Sequence, residues 1–188
     1  MTPMPHELIL GGARSGKSRC AEQRALRWLQ ADRSHRATLL ATALAADDEM
    51  RARIERHRAD RAARVPAMAT VEAPAQLGAT LERLAEPGRL LLVDCLTLWL
   101  TQCLLPPPGV TPELPWAQER QALLAALHRS VSPVVLVSNE IGLGPMPAAS
   151  EARAAVDALG QLHQAVAARC RRVTLMVAGC ELQVKDAA

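Results

Sequence analysis

The chain has 188 residues, 49% of them apolar and 22% charged, with a formal net charge of +3. That length can bury a core without disulfides or metals, so one domain spanning residues 1–188 is the expectation. Phe and Tyr are absent and only three Trp occur, which argues against single-strand nucleic-acid binding on stacked aromatic platforms, and the mild charge argues against a duplex-binding patch.

In chain order, the first predicted strand covers 7–11 and runs straight into Gly11-Gly-Ala-Arg-Ser-Gly-Lys-Ser18. This is a complete G-x-x-x-x-G-K-[ST] phosphate loop, with the strand before it and the helix after it that the motif requires. Gly11, Gly12 and Gly16 permit conformations and approaches that a Cβ would block, so successive N–H groups can converge on one anion. Lys17 can reach terminal phosphates, and the Ser18 hydroxyl is a Mg²⁺ ligand type. The helix predicted over 17–31 adds its positive N-terminal end. Lys17 and Lys185 are the only lysines in an arginine-rich chain.

A strand over 37–42 and a helix over 48–63 follow. The helix carries acids at its start and arginines at its end, which suits its dipole. Helical spacing puts Met50, Ile54, His57 and Arg61 on one face, with Arg53 beside them. Arginines one turn either side of His57 disfavour its protonated form, leaving a neutral, nucleophilic imidazole beside guanidinium groups that grip phosphate. The competing reading is a solvated arginine-rich helix with an incidental histidine, and the residues alone favour it.

Beyond a helix over 74–86, the strand 89–94 ends in Asp94, the acid expected to hold Mg²⁺ together with Ser18. A helix over 95–105 stops at Pro106-Pro-Pro-Gly109, which with Pro112 and Pro115 marks a loop. A helix over 116–130 and a strand over 133–138 lead to Ser138-Asn-Glu140. Asn139 and Glu140 fall where ligands bind in parallel sheets, or they cap the loop. A helix over 149–170 and a strand over 172–178 complete the pattern. Strands apolar on both faces, alternating with helices, predict an α/β fold with a mostly parallel sheet and helices on both faces. The phosphate loop makes it of the P-loop NTPase type, RecA-like. Five scattered cysteines without C-x-x-C spacing read mostly as buried thiols in a reducing cytosol, and no signal peptide or membrane span is expected.

Together these segments resemble the bifunctional adenosylcobinamide kinase/adenosylcobinamide-phosphate guanylyltransferases of cobalamin biosynthesis. The resemblance runs through the phosphate loop, Ala41-Thr-Ala43, Asp48-Glu-Met50, Arg53-Ile-x-x-His57-x-x-x-Arg61, Val93-Asp-Cys-Leu-Thr-Leu-Trp-Leu100, Val137-Ser-Asn-Glu140-x-Gly-x-Gly144 and Val177-Ala-Gly179. It implies two reactions: phosphorylation of the aminopropanol hydroxyl by ATP or GTP, then transfer of GMP from GTP through a guanylyl-histidine to the new phosphate. By motif position that histidine is His57, with Lys17 the second catalytic residue. The implied nucleotide contacts are Gly11, Gly12, Ala13, Arg14, Ser15, Gly16, Lys17 and Ser18 in the loop, then Ala41, Thr42 and Ala43. Arg58, Ala59, Asp60 and Arg61 follow on the arginine-rich helix, then Glu72 and Asp94. Mg²⁺ is the implied cofactor, held by Ser18 and Asp94. The partners are GTP, ATP, adenosylcobinamide and its phosphate, and a second copy of the chain in a homo-oligomer, by resemblance a trimer.

The chain departs from the family pattern at three places. Arg61-Ala-Ala-Arg-Val-Pro66 lacks the usual Trp and is longer, which affects the alignment of Glu72. His163 stands where Asn is common, and Cys180-Glu181 replaces a Leu-Pro-like ending. Two other readings of the chain are a phosphate-loop kinase for another small alcohol, with His57 idle, and a nucleotide-gated switch or nucleic-acid-binding ATPase.

Overall fold

Apolar runs bounded by turn residues become the strands. The computed structural model describes residues 6–45, 47–107 and 109–186. Its elements in order are β1 (Glu7–Gly11), α1 (Lys17–Ala31), β2 (Arg36–Ala41), α2 (Asp48–Arg64), β3 (Ala69–Glu72), α3 (Leu77–Leu84), β4 (Arg89–Asp94), α4 (Leu96–Leu104), α5 (Trp116–Arg129), β5 (Val134–Asn139), α6 (Ser150–Ala167), β6 (Arg172–Val177) and β7 (Cys180–Asp186). The strands join in one seven-stranded sheet of order β3-β2-β4-β5-β1-β6-β7. All pairings are parallel except β6 with β7.

The two sheet faces are covered unequally. Against one face α1 packs Cys20, Ala21 and Ala25 on Ile9, Leu39, Leu92, Val135 and Val137. The other face carries α3, α4, α5 and α6 over Leu8, Leu40, Leu91, Val93 and Leu136, with Trp99 fully buried. Trp99 meets Trp116 edge-on at 5.2 Å between ring centroids, a favoured aromatic geometry. α3 and α5 approach so closely that a Cβ on Gly78 would lie 2.5 Å from the Ala122 carbonyl carbon. Helices therefore lie on both faces, as the alternation of elements implies, but α2 buries none of its residues.

Two strands escape a reading based on apolar runs. β3 is a four-residue edge strand, mostly exposed. β7 is an exposed antiparallel edge strand whose Cys-Glu-Leu-Gln-Val-Lys alternates apolar and polar. The two-residue turn Ala178-Gly179 between β6 and β7 has φ of 51° and 82°, the positive values that tight hairpins demand. The proline loop follows α4 as expected, although Pro108 lies outside the described residues, as do 1–5, Ala46 and 187–188.

A buried ion network ties the hairpin to the core. Arg24 of α1 donates to both carboxylate oxygens of Glu7, at 2.9 and 3.1 Å, and to Glu181 of β7 at 2.6 Å. Thr174 donates to Glu7 at 2.7 Å. Burial of such charges is tolerated because each is paired and its remaining hydrogen-bond capacity is used. Cys20, Cys95 and Cys170 are buried free thiols and Cys103 is half-buried, whereas Cys180 is exposed on β7. Among the described residues, no helix is long and apolar enough to cross a membrane.

Candidate active site

Parallel strands bring their carboxyl ends to one rim, and the register fixes what stands there. Glu72 ends β3 opposite Ala41 of β2, Ala41 stands opposite Asp94 of β4, and Asp94 opposite Val137 of β5. Two residues further along β5, Asn139 lies opposite Gly11. Segments far apart in sequence thus form one row: Glu72, Ala41, Asp94, the end of β5, and the phosphate loop.

The loop is built on glycine at its first position. Gly11 has φ of 153°, and a Cβ there would lie 2.5 Å from the Met176 carbonyl oxygen and 2.6 Å from Ser15 Oγ. Gly12, Ala13 and Arg14 are exposed, and Arg14 has φ of 55°. Gly16, with φ of 99°, caps α1 without any side-chain bond, leaving the first-turn amides free for an anion. The hairpin turn supports the loop from beside β6: Gly179 N–H donates to Ser15 C=O at 3.0 Å. Ser15 Oγ is buried without a hydrogen-bond partner among the described residues. A buried hydroxyl in that position suits a ligand oxygen.

Lys17 is buried, and its Nζ donates to Gly12 C=O at 2.6 Å. Burial pulls its pKa below the ordinary lysine value; Cys95 and Asp94 oppose that shift, and Arg53 of α2 adds to it. Ser18 Oγ donates to Asp94 Oδ2 at 3.0 Å. A hydroxyl and a carboxylate meeting at a phosphate loop are hard oxygen donors of the kind Mg²⁺ takes when phosphate and water complete its shell. Among the described residues no group of three or more His, Cys, Asp and Glu side chains gathers as metal ligands.

α2 covers this end of the sheet without entering the core. Asp47 caps it, accepting from Met50 N–H at 2.7 Å. Met50, Ile54, His57 and Arg61 are half-buried while the rest of the helix is exposed, so the face read from helical spacing is the one turned inward. The helix is held to α1 by an ion pair between Arg64 and buried Glu22. Burial raises the Glu22 carboxyl above its usual range, against the pull of Arg64.

The His57 pKa lies below its ordinary value. Burial is the largest cause, Asp94 opposes it, and Arg53, Arg61 and Arg56 reinforce it. The shift is toward the neutral imidazole expected from the sequence, with desolvation the largest single cause, ahead of each flanking arginine. Arg61 is also lowered by burial, with Asp94 and Glu22 acting the other way.

The remaining sequence candidates divide. Glu72 lies on the rim and pairs with Arg58, so the missing Trp and longer connection do not displace it from the row. Ala59 is exposed and Asp60 pairs with Arg64 at 3.1 Å, both on the outer side of α2. Thr42 is fully buried, and its hydroxyl bonds to the backbone of Cys95. It braces the ends of β2 and β4 together, and its side chain is not open to a ligand. Ala41 and Ala43 flank it half-buried. Sequence reasoning did not find the Glu22–Arg64 contact or the support from Gly179. Both join residues remote in sequence, and neither leaves a periodic signal.

The family model for cobinamide kinase / cobinamide phosphate guanyltransferase matches residues 7–184. The chain belongs to that family. It is 49% identical over 179 residues to the bifunctional adenosylcobalamin biosynthesis protein CobP of Pseudomonas aeruginosa, covering 95% of this chain and 96% of that protein. It is 36% identical to CobU of Escherichia coli, covering 95% of this chain and 98% of that protein. Flagellar accessory protein FlaH from Methanocaldococcus jannaschii shares the fold, with a TM-score of 0.54 at 11% identity over 98% of this chain and 80% of that one. The chain is therefore a transferase with the kinase and guanyltransferase activities of that family.

Proposed function

We propose that both transfers run at the carboxyl rim, with His57 as the guanylyl carrier. The kinase step takes a phosphoryl group from ATP or GTP to adenosylcobinamide. In the second step a neutral His57 nitrogen attacks the α-phosphorus of GTP, a P–N bond forms, the bond to the bridging oxygen breaks, and pyrophosphate leaves. An oxygen of adenosylcobinamide phosphate then attacks the same phosphorus, the P–N bond breaks, and adenosylcobinamide-GDP departs with the imidazole restored. Splitting one nucleotidyl transfer into two displacements suits a nucleophile kept unprotonated by its surroundings.

The observation that carries this reading is the half-buried His57 on α2, within the electrostatic reach of Asp94 and with its pKa lowered. Loop amides of Gly11, Gly12, Ala13, Arg14, Ser15 and Gly16 bind the phosphates. Lys17 stabilises the charge that develops in each transfer. Arg61, on the half-buried face of α2, and the Arg58–Glu72 pair line the approach, Ala41 and Ala43 edge the floor with Thr42 bracing it from beneath, and Ala59 and Asp60, on the outer side of α2, take no part. Ser18 and Asp94 would hold Mg²⁺, which supplies electrostatic stabilisation to phosphates when bound.

Five free cysteines suit a reducing compartment, the cytosol. The exposed apolar residues Val177, Leu182 and Val184 at the β6–β7 edge give a second copy of the chain a surface to pair with, in keeping with a homotrimer. The test is incubation with α-³²P-GTP followed by peptide mapping. Label on the peptide containing His57, acid-labile and base-stable, is the expected result. Undiminished label in His57→Ala overturns the assignment.

A further inference from the structure

A second group of titratable side chains stands on the same rim, one strand from both the phosphate loop and Asp94, and the nucleotide chemistry above does not use it. Glu140 follows β5 directly, and its N–H donates to Gly11 C=O at 3.0 Å. Its Oε1 accepts from Gly142 N–H at 2.8 Å. Its Oε2 faces His163 Nδ1 of α6 at 3.7 Å, too far for a hydrogen bond, so the acceptor capacity of Oε2 is unspent. The side chain is 20% exposed, and that of His163 is 9% exposed.

Behind His163 runs a chain of hydroxyls with a definite direction. His163 Nε2 meets Ser138 Oγ at 2.7 Å, and Ser138 Oγ meets Thr97 Oγ1 at 3.0 Å. Asn139 N–H donates to Thr97 Oγ1 at 2.8 Å. A carboxylate at Glu140 repels a lone pair on Nδ1, so Nδ1 carries the hydrogen and Nε2 accepts from Ser138. Ser138 in turn accepts from Thr97. Each hydrogen then points along the chain toward Glu140. Burial lowers the pKa of His163 and Glu140 opposes that shift, so burial favours a neutral ring whose Nδ1–H faces Oε2 without closing a hydrogen bond to it. Glu140 is the ionisable group facing His163, and α4 brings only the neutral Thr97.

The other rim carboxylates are engaged: Asp94 with Ser18, Glu72 with Arg58, and Glu22 beside the rim with Arg64. We infer that Glu140 is the general base of the kinase step, with His163 its positioning residue. The acceptor hydroxyl gives its proton to Glu140 Oε2 while its oxygen attacks the γ-phosphorus. The new P–O bond forms, the bond to the β,γ-bridging oxygen breaks, and the nucleoside diphosphate leaves. Guanylyl transfer to His57 involves no hydroxyl deprotonation and does not call on Glu140. The inference rests on both reactions sharing this rim.

The experiment compares full-length wild type with Glu140→Gln, reading γ-³²P transfer from ATP to cobinamide and α-³²P-GTP labelling of the chain. General-base loss predicts a fall of about 100-fold or more in kcat for phosphorylation, nucleotide KM within about threefold, and labelling above about a third of wild type. Phosphorylation kept above about a third of wild type overturns the role, and so does parallel loss of both reactions. For His163, which flanks Glu140 Oε2 at 3.7 Å, His163→Leu should lower kcat for phosphorylation at least about tenfold with nucleotide KM within about threefold, and His163→Gln, which returns a polar N–H to that position, should recover most of the loss. No loss in His163→Leu, or a loss that His163→Gln does not recover, overturns the positioning role. Should wild type take no label from GTP, the His57 route fails by itself. The Glu140 result then stands or falls on the phosphorylation kinetics, with the melting temperature as the check on folding.

Discussion

A side chain's protonation state at this rim is set more by what surrounds it than by what pairs with it. Burial is the largest single cause that moves His57 toward its neutral form. A lowered pKa keeps the nucleophilic form populated further into acid, so the midpoint of the acid decline in guanylyl labelling should lie below the ordinary histidine value of 6.5. A midpoint at or above that value, in labelling rate against pH, would contradict the burial argument. Gly11 is constrained by contacts rather than charge. Gly11→Ala should weaken nucleotide binding at least about tenfold, because the Cβ must displace the Met176 carbonyl or Ser15 and so deform the loop; a fluorescent-nucleotide titration measures this. The phosphate loop was readable in sequence because its motif is local. His57 was readable only as one of two alternatives, because desolvation comes from elements that α2 does not contain.

α2 differs in kind from the other helices. It buries no residue, so its position depends on the Asp47 cap and on Arg64 reaching Glu22. Removing the cap in Asp47→Ala should cost about 1 kcal/mol. The loss should appear as faster amide hydrogen exchange confined to α2, with the global melting temperature nearly unchanged. Equal destabilisation of α2 and the central strands would show instead that the helix belongs to the core. The sequence identified α2 well through its acidic start, basic end and half-buried face. β3 and β7 were missed because an edge strand has only one neighbour to hide against and need not be apolar. β7 does alternate with period two after an Ala-Gly turn, a signal that a search for continuous apolar runs passes over.

Across the molecule, stability concentrates on the face covered by α3 to α6. Trp99 is fully buried there among leucines, and Trp99→Ala should cost about 3–5 kcal/mol by denaturant unfolding. Exposed Leu143, on the loop after β5, offers the contrast: Leu143→Ala should change stability by no more than about 0.5 kcal/mol. The alternation of elements made the fold class and the parallel sheet legible. Strand order was not, because nothing local to β1 says that β5 and β6 will flank it, and the rim row of Glu72, Ala41, Asp94 and Gly11 exists only through that order.

That flanking has a consequence for how the protein comes into being. β1 and its phosphate loop leave the ribosome before any other described strand, yet contacts around β1 span 128 residues to Val134 and 167 to Thr174. The turn that braces Ser15 comes later still, at Gly179. Closing loops of that length is slow compared with forming local helices. The growing chain therefore carries its most recognisable motif as an unassembled ribbon through most of translation, and the capacity to grip a nucleotide arrives nearly last, as β6 and its hairpin close around a segment made at the start.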